Sequence, residues 1–333
     1  MLKAFEALNH QIITWRRALH AHPEVGMELP WTMEYVASVL KDLGLTPVEK
    51  GGGIVAEIEG YSPRNTVALR ADADALKVKE DTGLSFSSTN GNMHACGHDG
   101  HVSMLLGVAK YLSEERNFKG KVRLLFQPDE EGGQGALSMI REGVLEGIDT
   151  IFGLHGGTIS TELPPGKIGF KKGAMMASVD PLEIKIKGKG CHAGYPHLGK
   201  DPVVVASECI LGLQSIISRE KSALEPAVLS ITVLEGGRTF NVIPDEVRLE
   251  GTLRCFNEEL RLKIHESLKR YVELLCESKG LKGEYLVDER ITPLINDDSY
   301  VLKGIETLRE TLKDEVVELH EPVFGGEDFA YYL

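Results

Sequence analysis

The 333-residue chain is short of positive charge. Lysine and arginine number 37 against 50 aspartates and glutamates, so the net charge is 37 − 50 = −13, and the pI is about 5.4. That deficit argues against nucleic acid and against an anionic membrane as main partners, since both reward a basic patch. No run reaches the roughly 18–20 apolar residues of a membrane span. The opening MLKAFEALNHQIITWRRALH has no apolar core of signal-peptide type. Cysteine is scarce. Cys96, Cys191, Cys209, Cys255 and Cys276 are odd in number and widely spaced, which excludes a disulfide framework and a paired-cysteine zinc ribbon. The expectation is reduced thiols in a cytoplasmic protein. Internal repeats, low-complexity tracts and long charge runs are also missing. An ordinary globular balance remains, 42% hydrophobic and 26% charged, with length enough for two domains.

Periodicity divides the chain in two. Residues 4–20 and 32–43 carry amphipathic helical patterns, the second with Val36, Val39, Leu40 and Leu43 on one face. Strands are expected at 54–58, 66–71, 121–127 and 150–154, with helices at 102–114 and 133–143 between them. This alternation predicts an α/β layered domain that binds ligands beyond the carboxyl ends of its strands. After Gly173 the texture changes. Leu182, Ile184 and Ile186 alternate with Glu183, Lys185 and Lys187, as in a strand with one wet face. Helix 202–219, strands 227–235 and 246–254, helix 257–278 and strand 283–290 complete a β-α-β-β-α-β order. That is the ferredoxin-like pattern, expected as a separate α+β domain over 180–291 inserted into a first domain made of 1–179 and 292–333.

Two stretches carry the chemistry. HACGHDGH places His94, Cys96, His98, Asp99 and His101 within residues 94–101, expected as a glycine-containing loop. FQPDEE places Asp129, Glu130 and Glu131 directly after an apolar strand. Soft and borderline ligands beside paired carboxylates suit a hydrolytic metal site with a built-in base. A metal-bound carboxylate stays ionised, while a free neighbour can take a proton from water and pass it on. Consecutive side chains diverge in a strand, but at a strand-to-helix turn both can edge one pocket. Asp72, Glu130/Glu131 and His155 each follow a predicted strand end. His155 alone would more often be structural than a ligand, and only the parallel with the other strand ends makes the two readings even. In the inserted domain, His192 and His197 fall in a Gly/Pro-rich loop, with Asn241 in GGRTFNVIP and Arg254 ending GTLR. Arg254 either grips a carboxylate by a bidentate pair or edges a half-exposed strand.

These motifs resemble the M20 metallopeptidase family, in the amidohydrolase branch of hippurate hydrolases, auxin-conjugate hydrolases and N-acyl-amino-acid deacylases. The likeness rests on RRALHAHPE (16–24), RADADAL (70–76), GNMHACGHDGH (91–101), FQPDEEGGQGA (126–136), FGLHG (152–156), GKGCHAGYPH (188–197), NVIPD (241–245), GTLR (251–254) and GGEDF (325–329). It implies a mixed-sheet metallohydrolase domain with a lid or dimerisation domain, and two divalent metal ions per subunit, zinc or manganese, with cobalt or nickel as further candidates. It implies Cys96, His98, Glu131 and His155 as ligands, Glu130 as general base and His192 as oxyanion stabiliser. Asn241 and Arg254 would hold the substrate's carboxylate side, and Asp72 would orient a ligand. The implied substrate is an N-acyl amino acid, with dipeptidase or carboxypeptidase action as the alternative, and the implied assembly is a homodimer through the lid. A non-catalytic dimeric binding protein is the reading from another class. Two departures stand out. The branch's last histidine ligand lies beyond GEDF and beyond Leu333, so the chain resembles a truncated enzyme lacking one ligand. Asp129 occupies a place usually held by a small residue, where its charge would raise the pKa of Glu130 or merely face solvent.

Overall fold

A computed structural model describes residues 2–157, 160–288 and 290–333. They form two compact units, Met1–Ile159 with Glu327–Leu333, and Ser160–Gly326.

The first unit runs α1 (Leu2–His20), α2 (Pro30–Asp42), β1 (Val48–Lys50), β2 (Gly53–Glu59), β3 (Ser62–Asp72), α3 (His98–Glu114), β4 (Lys119–Gln127), α4 (Gly135–Arg141) and β5 (Thr150–Gly153). Its sheet has the order β1-β2-β4-β3-β5. The neighbours β4, β3 and β5 are mutually parallel, while β2 runs antiparallel to both β4 and β1. On one face Trp15, Leu19, Val36, Leu40, Val102 and Leu106 pack on Ile54, Ile58, Leu124 and Phe126. Leu125, between Leu124 and Phe126, is equally buried. A run buried on both sides explains why β4 reads as continuously apolar rather than alternating. The terminal residues supply a single helical turn, Asp328–Tyr332, whose Tyr332 reaches Gln127 and Met139.

The second unit runs β6 (Ile168–Phe170), β7 (Gly173–Met176), β8 (Asp180–Lys187), β9 (Cys191–His192), α5 (Pro202–Arg219), β10 (Ala227–Gly236), β11 (Val242–Ile243), β12 (Glu246–Cys255), α6 (Glu258–Ser278), β13 (Lys282–Val287), β14 (Leu294–Asn296), α7 (Asp298–Leu312) and β15 (Val316–Glu318). Its four-stranded sheet has the order β10-β12-β8-β13, antiparallel throughout. With α5 and α6 in the crossovers, this is the ferredoxin-like split βαβ topology that the sequence pattern predicts. Helices α5 and α6 bury Val205, Cys209, Leu213, Ile264, Leu268 and Cys276 against Ile184, Ile186, Val247 and Leu249. By length and composition α5 is apolar enough to cross a bilayer, against the expectation that no stretch would be. That composition also serves its packing on the sheet. Residues 160–179 and 292–326, expected to rejoin the first domain, form β6, β7, β14, α7 and β15 and cluster with the second unit.

Candidate metal centre and its surroundings

Three parallel strands end side by side, and the residues that follow them build the site. Strand β3 ends on Asp72, β4 on Gln127 and β5 on Gly153. After β4 the chain turns sharply. Asp129 has φ of 49°, a left-handed conformation that aspartate tolerates better than most residues. Gly135 follows, where a Cβ would lie 1.6 Å from the Pro128 carbonyl oxygen, so only glycine allows α4 to start this close to the strand. Glu130 and Glu131 come together within this turn. One oxygen of each, with a ring nitrogen of His98, lies within a 4.8 Å cluster.

The HACGHDGH segment is not a continuous loop. Gly97, at φ of 90°, turns the chain, and His98 opens α3, four residues before the expected helix start. His98 Nδ1 sits 2.9 Å from the carbonyl oxygen of Asp74. A carbonyl can only accept, so Nδ1 carries the proton. His98 Nε2 is left buried with no hydrogen-bond partner, 3.6 Å from Asp72 Oδ2 and 4.0 Å from Glu130 Oε2. His155 repeats the pattern. Its Nδ1 donates to Glu327 Oε2 at 2.7 Å, while Nε2 lies 3.3 Å from Cys96 Sγ. A partner at Nδ1 that frees Nε2 is the arrangement that orients a metal-binding imidazole. Cys96, His98 and His155 form a second 4.8 Å cluster. The donor set of thiolate, two imidazoles and carboxylates therefore fits a divalent transition metal.

Electrostatics point the same way. Asp72, Glu130, Glu327 and Asp328 are buried around one buried guanidinium, Arg70, and Asp74 is buried beside His98. Burial, then the charges of Glu327 and Asp72, push Glu130 up to about 10, against the pull of Arg70. Asp129 is not among the largest contributors, although the sequence made it the suspect. Burial and Asp74 likewise raise Glu131, despite His98. Burial opposes the charge on His155, yet Cys96 and Glu327 hold its pKa up to about 10. His155 and His98 in turn lower the thiol of Cys96. Such a surplus of buried negative charge is relieved by protons or by a bound cation.

Other motif residues support this cluster. Asp74 Oδ2 accepts from the Glu131 amide at 3.1 Å, joining the start of α3 to the β4 turn. Asp99 faces away from the cluster, toward Arg16 and His20. His101 was read with the HACGHDGH motif, whereas Arg70, Glu327 and Asp328 were not singled out from sequence. An arginine inside the apolar run TVALRAD was the available signal for the first, and the acidic pair in GGEDF for the last two.

In the second unit, His192 and Asn241 come together. His192 pairs with Val242 across β9 and β11, and the Ala193 amide donates to the Asn241 carbonyl. Gly194 donates to His192 Nδ1 at 3.0 Å, so Nε2 of the neutral ring bears the proton and is a free-standing donor on an exposed side chain. Arg254 is not brought to this corner. It lies near the far end of β12, eight residues beyond Glu246, a rise of about 27 Å. Cys209, Cys255 and Cys276 are buried packing residues.

A parallel-strand α/β unit whose strand ends collect soft ligands and carboxylates, in a chain that also carries a ferredoxin-like unit, defines a class of metallohydrolases. The profile of peptidase family M20/M25/M40 matches residues 68–333, and the chain belongs to that family. N-acetyl-L-cysteine deacetylase of Bacillus subtilis (strain 168) is 41% identical over 330 residues, covering 98% of this chain and 78% of that protein. Thermostable carboxypeptidase 1 of Saccharolobus solfataricus is 38% identical, covering 97% of this chain and 82% of its own. The crystal structure of the Bacillus subtilis YXEP protein, described as a dinuclear metal-binding peptidase, superposes with a TM-score of 0.84 at 36% identity. That match covers 98% of this chain and 86% of the other.

Proposed function

We propose that the chain is a metal-dependent amidohydrolase that cleaves the amide bond of N-acyl amino acids. One observation carries the reading. Beyond the ends of adjacent parallel strands, His98 and His155 each have Nδ1 engaged, with the His98 Nε2 unpartnered near Glu130 and the His155 Nε2 turned to Cys96 Sγ. Cys96, His98, Glu131 and His155 are the proposed ligands, for zinc or manganese, two ions per subunit. When bound, such ions polarise an amide carbonyl and acidify water.

Glu130 is the proposed general base. It is buried and fixed in the β4 turn, and its preference for a proton is strong. A carboxylate so placed takes the proton of the attacking water and hands it to the leaving nitrogen. Asp72 orients rather than binds, because Arg70 and His101 occupy its two oxygens. His192, with its Nε2–H, is assigned to the oxyanion and Asn241 to the substrate's carboxylate side; Arg254, at the far end of β12, is assigned to the same carboxylate only across the proposed homodimer. The ferredoxin-like region 180–291 is proposed as lid and dimerisation surface of a cytoplasmic homodimer. The deacetylase relative, at 41% identity, supports the acyl-amino-acid reading over the peptidase one.

The test is a panel of N-acyl amino acids against dipeptides, run on wild type and Glu130→Gln with metal content measured. Wild type should prefer the acyl amino acids. The variant should keep its metal and lose turnover by about 10²–10⁴-fold. Full activity in Glu130→Gln would sink the mechanism, and a preference for dipeptides would move the substrate class.

A further inference from the structure

The buried side chains behind His155 close a ring. Arg70 lies at the centre of it, 6% exposed. One arm leaves through Nη1, which donates to Asp72 Oδ2 at 2.9 Å. Asp72 Oδ1 pairs with His101 Nδ1 at 2.5 Å. The amide of Gly156 donates to His101 Nε2 at 2.6 Å. That amide fixes the His101 tautomer, with the proton on Nδ1, so the ring is neutral and passes the hydrogen bond from backbone to carboxylate. The other arm leaves through Nη2, 3.0 Å from Glu327 Oε1. Glu327 Oε2 accepts from His155 Nδ1 at 2.7 Å. The two arms meet again at the peptide bond between His155 and Gly156. One holds its backbone, the other its imidazole. Arg70 Nε and Nη2 further bind Gln127 and Asp328, so the guanidinium is itself held by the β4 end and the terminal turn.

We propose that Arg70 is a positioning residue for His155. It sets the place of the backbone and the direction of the ring through the Asp72–His101–Gly156 and Glu327 arms. Only a planar fork with several fixed donors serves both arms at once, so lysine is not an equivalent. His155 follows β5 on a short segment with half-exposed neighbours, and a loop residue needs such bracing to hold a ligand atom in place. The inference rests on the reading of His155 as a ligand, but the bracing can be measured without metal.

The experiment uses the full chain and Arg70→Lys. Two quantities are read: amide hydrogen exchange at Gly156 in metal-free protein, and cobalt(II) affinity followed by the thiolate-to-cobalt charge-transfer band from Cys96. The variant should exchange at Gly156 roughly tenfold faster or more while the β4 amides hold, and cobalt affinity should fall about 10–100-fold. Unchanged protection at Gly156 overturns the proposal, whatever cobalt does. Faster exchange at Gly156 with no cobalt band in wild type leaves the brace standing and removes the metal reading. If Arg70→Lys loosens β4 as well, Arg70→Ala with added millimolar guanidinium ion decides. Recovery of Gly156 protection relative to β4 supports the brace, and failure to recover it rejects the brace.

Discussion

Each unit of the molecule buries an arginine among acids, and the two clusters are built to different rules. In the second unit Arg261, 1% exposed, makes three contacts of 2.6–3.0 Å to the two oxygens of Asp180. Ser178 adds a hydroxyl, and His265 stands 3.4 Å away with its other nitrogen on Tyr285. The cation meets one buried anion, with the partly exposed Glu258 on its Nη1 at 2.7 Å, and the Asp180 pair ties the first turn of α6 to the start of β8. In the first unit Arg70 faces Asp72, Glu327 and Asp328, and Glu130 lies close enough to feel its charge. That cluster is over-supplied with carboxylate. The difference separates structure from chemistry. A balanced buried pair is satisfied by the fold alone, whereas a surplus is a standing demand for protons or cations.

The comparison breaks most visibly at the balanced pair. Arg261→Met leaves Asp180 buried without its partner and should cost about 3–5 kcal/mol in urea unfolding. Adding Asp180→Asn should recover much of the loss, because the uncompensated charge goes with it. In the surplus cluster the opposite sign is expected. Glu130→Gln removes a carboxylate that has too much company, so the metal-free protein should unfold at a higher urea concentration than wild type. A loss of stability in Glu130→Gln would contradict the contrast.

Cation supply is the next largest lever. Zinc or manganese at about 100 times its dissociation constant should add about 2.7 kcal/mol, read as a rise in melting temperature. Chelation should abolish both that gain and turnover. Cys96→Ser should blunt the gain, and Arg261→Met should leave it intact, since its cluster has no surplus to neutralise. An equal loss of metal stabilisation in both variants would mean that the clusters are not functionally distinct.

How much of this was legible in the sequence follows from the range of the interactions. The strand ends at Asp72, Glu130 and His155 were readable because β-α alternation and apolar runs are local signals. So was the ferredoxin-like order, down to an α5 spanning 202–219 as expected. The brace was not readable, because Arg70 meets Asp328 across 258 positions of sequence and His155 meets Glu327 across 172. No periodicity reports such a pairing. The start of α3 was missed for a different reason. Gly97 reads as a loop residue, yet its left-handed turn is what allows His98 to open a helix. For Asp129 the sequence left two readings open, a raised Glu130 pKa or a solvent-facing charge, because adjacency in sequence does not report adjacency in field. The charges that press hardest on Glu130 come from Glu327 and Asp72.

The smallest expected effect is a pH dependence that should belong to the balanced pair. Burial alone would raise the pKa of Asp180, but His265 and Arg261 outweigh it and leave the carboxyl below its ordinary value. A group whose pKa is depressed by folding stabilises the native state above its unfolded value, near 3.9, and that contribution is lost as pH falls through the folded value beneath it. Wild type should therefore lose stability between about pH 4 and pH 2 more steeply than Asp180→Asn. The measurement is the urea midpoint at a series of pH values for both proteins. Parallel curves would mean that Arg261 holds Asp180 no better than water does, and the second unit's cluster would then owe its place to packing rather than to charge balance.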